Sequence, residues 1–264
     1  MKREIKFSLI YRDMWQSSGK YTPRVDQLLE IAPVIIDMGC FDRVETNGGA
    51  FEQVNLLYGQ NPNVAVRQWV APFKKAGIQT HMLERGLNGL RMNPVPEDVR
   101  YLMFKVKKAQ GVDIARSFCG LNDHRNLKAS VIGAKQAGMI SQASLSITYS
   151  PVHTVEYYMD VVDHLVEYGC DEICLKDMAG IGRPVFLGRL VKAIKDKVVK
   201  YFFWLDVKGD YEIPAGDYIR YDFTCQGENV QLQVNGKDME VVHVDGDDYY
   251  AKLTELGAVS ILCD

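Results

Sequence analysis

Six times between residues 4 and 197, a short apolar run gives way to a stretch with helical spacing. No other feature constrains the fold as strongly, because strands separated by helices pack as a parallel sheet with the helices outside it. Ile5 to Tyr11 reads as the first strand, and Leu28, Leu29, Ala32 and Ile36 mark a helix that stops at Gly39. Arg43 to Thr46, Ile78 to Leu83, Ile114 to Phe118, Ser141 to Thr148 and Ile173 to Lys176 are the next five strands. The helices between them carry Val66, Trp69 and Phe73, then Val99, Leu102 and Val106, then a segment capped by Asn122 or Asp123, then Val155, Tyr158 and Val162. Pro184 opens the last helix, which bears Leu187, Leu190 and Ile194. Units of about 30 residues suit a TIM barrel, which needs eight of them in roughly 250 residues. A doubly wound sheet would also accept six. No G-x-G-x-x-G follows the first strand, so a dinucleotide site has no support.

Beyond residue 197 the character changes. Residues 198–264 hold 5 Lys and Arg against 13 Asp and Glu, a balance of −8, while the whole chain of 264 residues stands at −3. Asn235-Gly236 between two apolar runs is a hairpin signal, and Asp245-Gly246 suggests a second turn. The expectation is an α/β fold, TIM-barrel-like, with six recognisable βα units over residues 1–197. An acidic, antiparallel β-rich tail over residues 198–264 would replace the last two units.

Function in parallel α/β folds sits at the carboxyl ends of the strands. Those positions hold Arg12, Asp13 and Gln16, then Glu45 and Asn47 to Gly49, then Arg85 and Asn88, then Asn122, and finally Lys176 and Asp177. Lys176 is the most demanding of them. An ammonium at the end of an apolar strand must be paired, neutralised or chemically modified, unless its stem packs and its head reaches water. Singly, each of these residues is more often a helix cap or a rim ion pair. Together they form a polar, partly cationic ring that suits a small carboxylate substrate and a divalent metal. The net charge gives no reason to expect nucleic acid or an anionic membrane. No apolar run approaches the roughly 20 residues of a membrane helix, and the amino terminus leads straight into a strand without a signal-peptide pattern. The six cysteines form no C-x-x-C pair and read as reduced thiols of a cytoplasmic protein.

Five motifs in order carry a resemblance: Arg12-Asp13-x-x-Gln16, Val44-Glu45-Thr46-Asn47-Gly48-Gly49-Ala50-Phe51, Met82-Leu83-Glu84-Arg85-Gly86-Leu87-Asn88, Ala115 to Asn122, and Leu175-Lys176-Asp177-Met178-Ala179-Gly180. Residues 3–196 resemble the carboxyltransferase domain of biotin-dependent enzymes: the oxaloacetate decarboxylase alpha chain, pyruvate carboxylase and the transcarboxylase core subunit. The resemblance implies that Asp13 is a metal ligand. It implies that Lys176, carbamylated by carbon dioxide, binds the same zinc, manganese or cobalt ion. Arg12, Gln16 and Arg85 would hold pyruvate or oxaloacetate beside Gly49, with Lys176 at the chemistry. Biotin would arrive on a separate carrier protein, since the chain has no Ala-Met-Lys-Met attachment motif. Further partners implied are biotin carboxylase or decarboxylase subunits and a second copy of the chain, with no direct membrane insertion.

The resemblance has a gap. The family places a His-x-His metal pair on its seventh strand, and residues 200–210 here contain no histidine. His243 and Asp245 stand two apart on an expected strand and could replace that pair, although a hairpin flank with a turn aspartate is the commoner reading of such a pattern. His81, inside the third strand, reads as a core or pocket residue, and His124, His153 and His164 as caps or surface groups. The gap motivates a second reading: a truncated, non-catalytic carboxyltransferase remnant that binds a keto acid or mediates subunit contacts.

Overall fold

The computed structural model describes residues 6–10, 12 and 23–197, and beyond them the backbone of strands within 202–263. The elements run β1 (Phe7–Leu9), α1 (Val25–Asp37), β2 (Phe41–Gly48), α2 (Gly49–Leu57), α3 (Pro62–Lys75), β3 (Gln79–Glu84), a 3-10 turn (Gly86–Asn88), α4 (Glu97–Ala109), β4 (Ile114–Phe118), α5 (His124–Gln136), β5 (Ile140–Ser146), α6 (Val155–Glu167), β6 (Glu172–Asp177) and α7 (Pro184–Lys197). The sheet keeps its strands in sequence order from β1 to β6, with β7 (Phe202–Val207) next. That order decides between the two candidate architectures. A doubly wound sheet reverses its strand order at a switch point, and this one never does, so the fold is TIM-barrel-like α/β.

The chain divides into two compact units. The first comprises residues 1–146, 160–175 and 201–204. Its apolar core lies between the sheet and the helices. Val44 and Met82 pack there with Leu28 and Ala32 of α1, and with Val66, Trp69 and Phe73 of α3, all of them almost fully buried. Helix starts follow the capping signals. The Asn61 side chain accepts from the Asn63 N–H at 3.0 Å with Pro62 at the first helical position, and Asp123 accepts from the Arg125 N–H at 3.0 Å.

Two local expectations were too short. Strand β2 continues through Asn47 and Gly48, which lie beyond the expected strand end at Thr46 but pair with Met82 and Leu83 after an irregularity between Glu45 and Asn47. Pairing with β3 outweighs their turn propensity. Helix α2 follows at once, where no helix was expected. It buries Ala50, Phe51 and Asn55 within a single short element.

The second unit comprises residues 147–159, 176–200 and 205–264. Here α7 buries Leu190 and Ile194, and Arg183 lies 3.8 Å above the Tyr149 ring. Asp177 accepts the backbone N–H groups of Ile181 and Gly182 at 2.9 and 2.7 Å, which ties down the Met178-Ala179-Gly180 turn. Within the tail, β8 (Tyr218–Asp222) precedes β9 (Val230–Val234) and β10 (Lys237–Met239), which pair antiparallel with each other. Strands β11 (Val241–Asp245) and β12 (Asp248–Lys252) form a second hairpin. The strands on either side of each expected turn therefore pair antiparallel, while Asn235, Gly236 and Gly246 themselves lie outside the described residues.

Candidate functional site

Alternation along each strand sends one set of side chains to the helices and the other to the opposite face. That opposite face is polar in the first unit. Register places Arg43 beside Gln79, Glu45 beside His81, and Arg116 beside Gln142. Their side chains form one buried network. Arg43 binds Glu172 through two parallel hydrogen bonds of 2.7 and 2.8 Å, and its Nε donates to Gln79 Oε1 at 3.0 Å. Gln142 bridges the layers, accepting from Arg116 Nε at 2.6 Å and donating to Glu172 Oε2 at 2.7 Å.

Glu45 is the hub nearest the strand ends. Arg12 Nε donates to its Oε1 at 2.8 Å, while His81 Nδ1 and Arg116 Nη1 lie 3.5 and 3.7 Å from its Oε2. Burial alone would push this carboxyl up. The Arg12 guanidinium, then His81 and Arg116, outweigh burial and hold it far below the ordinary carboxylate range. His81 is pushed down to about 4, by burial and then by Arg116, and Ser8 Oγ meets its Nε2 at 2.8 Å. It is therefore a neutral pocket residue at pH 7, in keeping with its expected place inside β3.

At the rim, Arg12 and Arg85 both meet the Gly48-Gly49 step that opens α2. A Cβ on Gly48 would sit 3.1 Å from Arg12 Cζ, and one on Gly49 would sit 2.9 Å from Arg85 Nη1. Only glycine lets both guanidinium groups approach so closely. Arg12 is 1% exposed and fixed by Glu45. Arg85 is half-buried, with Nη1 3.1 Å from Met92 Sδ, and it lines a cleft of about 270 Å³ with Leu87, Asn88, Phe118, Cys119 and Asn126. Asn122 latches β4 to β5. Its amide donates to the Ser146 carbonyl at 2.8 Å and accepts the Ser146 N–H at 2.7 Å, from a left-handed backbone with φ 54°.

The remaining expected residues divide as follows. Lys176 lies at the end of β6, 1% exposed, and belongs to the second unit. Asp13 and Gln16 lie outside the described residues, as do the side chains of His243 and Asp245. Among the described residues no three His, Cys, Asp or Glu side chains gather as a metal would require. Glu45, inside β2, is already committed to Arg12. The described donors therefore do not by themselves fit a resident divalent ion. No helix among the described residues is long and apolar enough to cross a membrane.

Sequence reasoning missed most of the polar network. Arg43 and Gln79 stand two residues before Glu45 and His81 on their strands, so period-2 alternation could have found those two.

A parallel sheet in sequence order, with Arg85 lining a cleft beyond the ends of β3 and β4, defines a TIM-barrel-like α/β domain. Comparison with known proteins agrees. The chain is 31% identical over 188 residues to a pyruvate carboxylase subunit of Methanocaldococcus jannaschii, covering 71% of this chain and 33% of that protein. It is 31% identical over 189 residues to the methylmalonyl-CoA carboxyltransferase 5S subunit of Propionibacterium freudenreichii subsp. shermanii, covering 71% of this chain and 37% of that one. Its fold superimposes on the carboxyl transferase domain from Rhizobium etli pyruvate carboxylase with oxamate and biotin. The TM-score is 0.69 at 23% identity, over 76% of this chain and 36% of that chain, a likeness of fold alone. No family model matches. The chain belongs to the carboxyltransferase family of biotin-dependent enzymes, the match covering 71% of its length. It spans about a third of the length of these relatives.

Proposed function

We propose that this chain provides the keto-acid side of a biotin-dependent carboxyl transfer, with pyruvate or oxaloacetate held at the mouth formed by β1 to β4. The observation that carries the reading is the approach of Arg12 and Arg85 to adjacent glycines at the start of α2. Two guanidinium groups beside a helix amino terminus favour a carboxylate, and the cleft that Arg85 lines, about 270 Å³, lies just below the roughly 300–1,000 Å³ range for ligand pockets. That size suits a three- or four-carbon acid better than a coenzyme A thioester. The relatives' names, pyruvate carboxylase and methylmalonyl-CoA carboxyltransferase, support carboxyl transfer as the reaction class.

Each residue then has a task. Arg85 binds the substrate carboxylate from the rim, Arg12 adds fixed positive charge from beneath, and Glu45 locks Arg12 in place. His81, neutral beside Glu45, adds no competing cation. Gln16 completes the clamp. Lys176 and Asp13 are the side chains through which a divalent metal would join, with biotin presented by a separate carrier and further subunits. Cytoplasmic location and self-association complete the proposal.

Binding of pyruvate, followed by calorimetry in wild type and Arg85→Ala, tests the reading directly. At least a tenfold loss of affinity is expected, and equal affinity in the two proteins would overturn it. Oxaloacetate decarboxylation in Lys176→Ala and Asp13→Ala tests the catalytic half, where undiminished turnover in both would defeat it. A second reading, a keto-acid binder without turnover, draws support from the commitment of Glu45, the buried carboxylate of β2, to Arg12 rather than to an open ligand position. It predicts pyruvate binding without metal in the purified protein.

A further inference from the structure

Behind the pocket, on the helix side of the sheet, lies a carboxyl group that the proposed function does not use. Glu84 ends β3 fully buried. Its Oε2 accepts the Gly86 N–H at 2.9 Å, and its Oε1 accepts the Ser130 hydroxyl of α5 at 3.0 Å. Arg100 of α4, itself 4% exposed, donates to the Gly86 carbonyl at 2.6 Å. Gly86 is thus gripped at both its N–H and its carbonyl by buried, charged side chains.

Arg85 is carried on that grip. Its N–H donates to the Gly89 carbonyl at 2.9 Å, its carbonyl accepts from Asn88 at 3.0 Å, and Gly89 donates back to Gly86 at 3.1 Å. The loop from 85 to 89 is therefore a closed turn whose anchoring point is Gly86. A Cβ at Gly86 would meet the Phe118 carbonyl at 3.1 Å, so the turn is also pressed against the end of β4.

We propose that Glu84 is a positioning residue for substrate binding, which holds the 85–89 turn from behind the sheet so that Arg85 is presented to the keto acid. This rests on the reading of Arg85 as a substrate ligand. Glu84 acts through the turn and touches no substrate.

The grip depends on charge. An ionised carboxylate accepts on both oxygens at once, whereas the protonated acid must donate from one of them and holds the other contact more weakly. Among the described residues, the charged group facing Glu84 is Arg100 from α4. Strand β4 brings Ser117, helix α5 brings Ser130, and the turn brings its own Gly86 N–H. Burial pushes the carboxyl up to about 7, against the opposing pull of Ser117, Arg100, Ser130 and Gly86. The two protonation states of Glu84 therefore interchange near neutrality. Pyruvate and Arg85 both keep their charges across that range.

Glutamine is the isostere of the protonated acid, and this makes the test sharp. Pyruvate affinity of the full chain is measured by calorimetry at pH 8 and pH 6, in wild type and Glu84→Gln, with amide hydrogen exchange followed at residues 85–89. Wild type should bind pyruvate about threefold to tenfold more weakly at pH 6 than at pH 8, the scale expected from weakening one charge-assisted hydrogen bond. Glu84→Gln should bind equally at both pH values, at the weaker level, and should exchange the Gly86 amide faster at pH 8. Ser130→Ala, which keeps the carboxyl, should fall between them and serves if the glutamine variant does not fold. A pH dependence that persists in Glu84→Gln, or unchanged exchange at Gly86, overturns the proposal. If Arg85→Ala binds pyruvate like wild type, the substrate reading itself is lost, while the exchange data still decide whether Glu84 holds the turn.

Discussion

The two faces of the same sheet solve burial in opposite ways. On the helix side, Val44, Met82 and Ala115 join Trp69, Phe73 and Phe104 in an apolar core. On the other side, one or two residues along the same strands, Arg43, Glu45, His81, Arg116, Gln142 and Glu172 form a buried ionic lattice. In TIM barrels the inward layers are mostly branched aliphatics, so the polar face departs from the usual filling. The apolar face gains from every atom removed from water. The ionic face gains little net, because desolvation offsets attraction, but it is severely harmed when one member is lost. Its return is geometry: Glu45 fixes Arg12 where an aliphatic layer would leave it adrift.

Losing one member of the ionic face should give the largest effect. Glu45→Ala leaves Arg12 and Arg116 without the carboxylate they share. A loss of about 4 kcal/mol in urea unfolding at pH 7 is expected, the scale seen when one partner of a buried pair is removed. It should also abolish pyruvate binding. On the other face, Met82→Ala should cost about 3 kcal/mol as a cavity, with little effect on pyruvate affinity. If Glu45→Ala proved the milder of the two, the contrast between the faces would fail.

The second effect is smaller and concerns pH. His81 stands at about 4 against an ordinary 6.5, so acidification from 6.5 protonates the unfolded chain first and lowers stability. Glu84 stands at about 7 against an ordinary 4.5, so acidification from 7 protonates the folded chain first and raises stability. Each shift corresponds to about 3 kcal/mol, and their windows overlap between pH 4.5 and 6.5. Wild type should be nearly flat there. Glu84→Gln should unmask the histidine and lose stability as pH falls through that window. Below it, wild type should decline as Glu45, held low in the folded state, gives up its contribution. A glutamine variant as flat as wild type would show that His81 does not titrate as its surroundings demand.

Much of this molecule was legible in its sequence, for identifiable reasons. Alternating strand and helix periods revealed the parallel sheet, and sequence-ordered pairing turned that into a TIM-barrel-like fold. Arg12, Arg85 and Gly49 were marked by their positions at strand ends, and the structure gathers them around one step of backbone. The ionic face was hidden because a buried arginine looks like a surface arginine until its partner, as Glu172 is to Arg43, arrives from 129 residues away. Glu84 was hidden for a different reason. Its importance lies in a backbone N–H two residues on, which no side-chain pattern advertises. Helix α2 was masked by the turn-like Asn47-Gly48-Gly49, whose conformation is set by pairing with β3.

The smallest expected effect isolates the seam between the faces. A methyl group on Gly49 would lie 2.9 Å from Arg85 Nη1 and 2.9 Å from the Leu90 carbonyl. The first contact is with the end of a flexible side chain and can be relieved by moving the guanidinium. The second is with backbone and cannot be relieved so cheaply. Gly49→Ala should therefore displace Arg85 and the segment beside Leu90 together, costing about 1–2 kcal/mol in stability as modest overpacking. Pyruvate affinity should fall by about tenfold, since the guanidinium leaves the helix start, while the pH behaviour of His81 and Glu84 stays as in wild type. Gly48→Ala meets Arg12 Cζ at 3.1 Å, Arg12 Nε at 3.2 Å and the Leu83 carbonyl at 3.3 Å, each farther than the 2.9 Å contacts of Gly49, so it should be milder on both measures. If the order of the two variants were reversed, Arg12 rather than Arg85 would be the principal contact for the acid. The rim of the pocket would then belong to the ionic face alone.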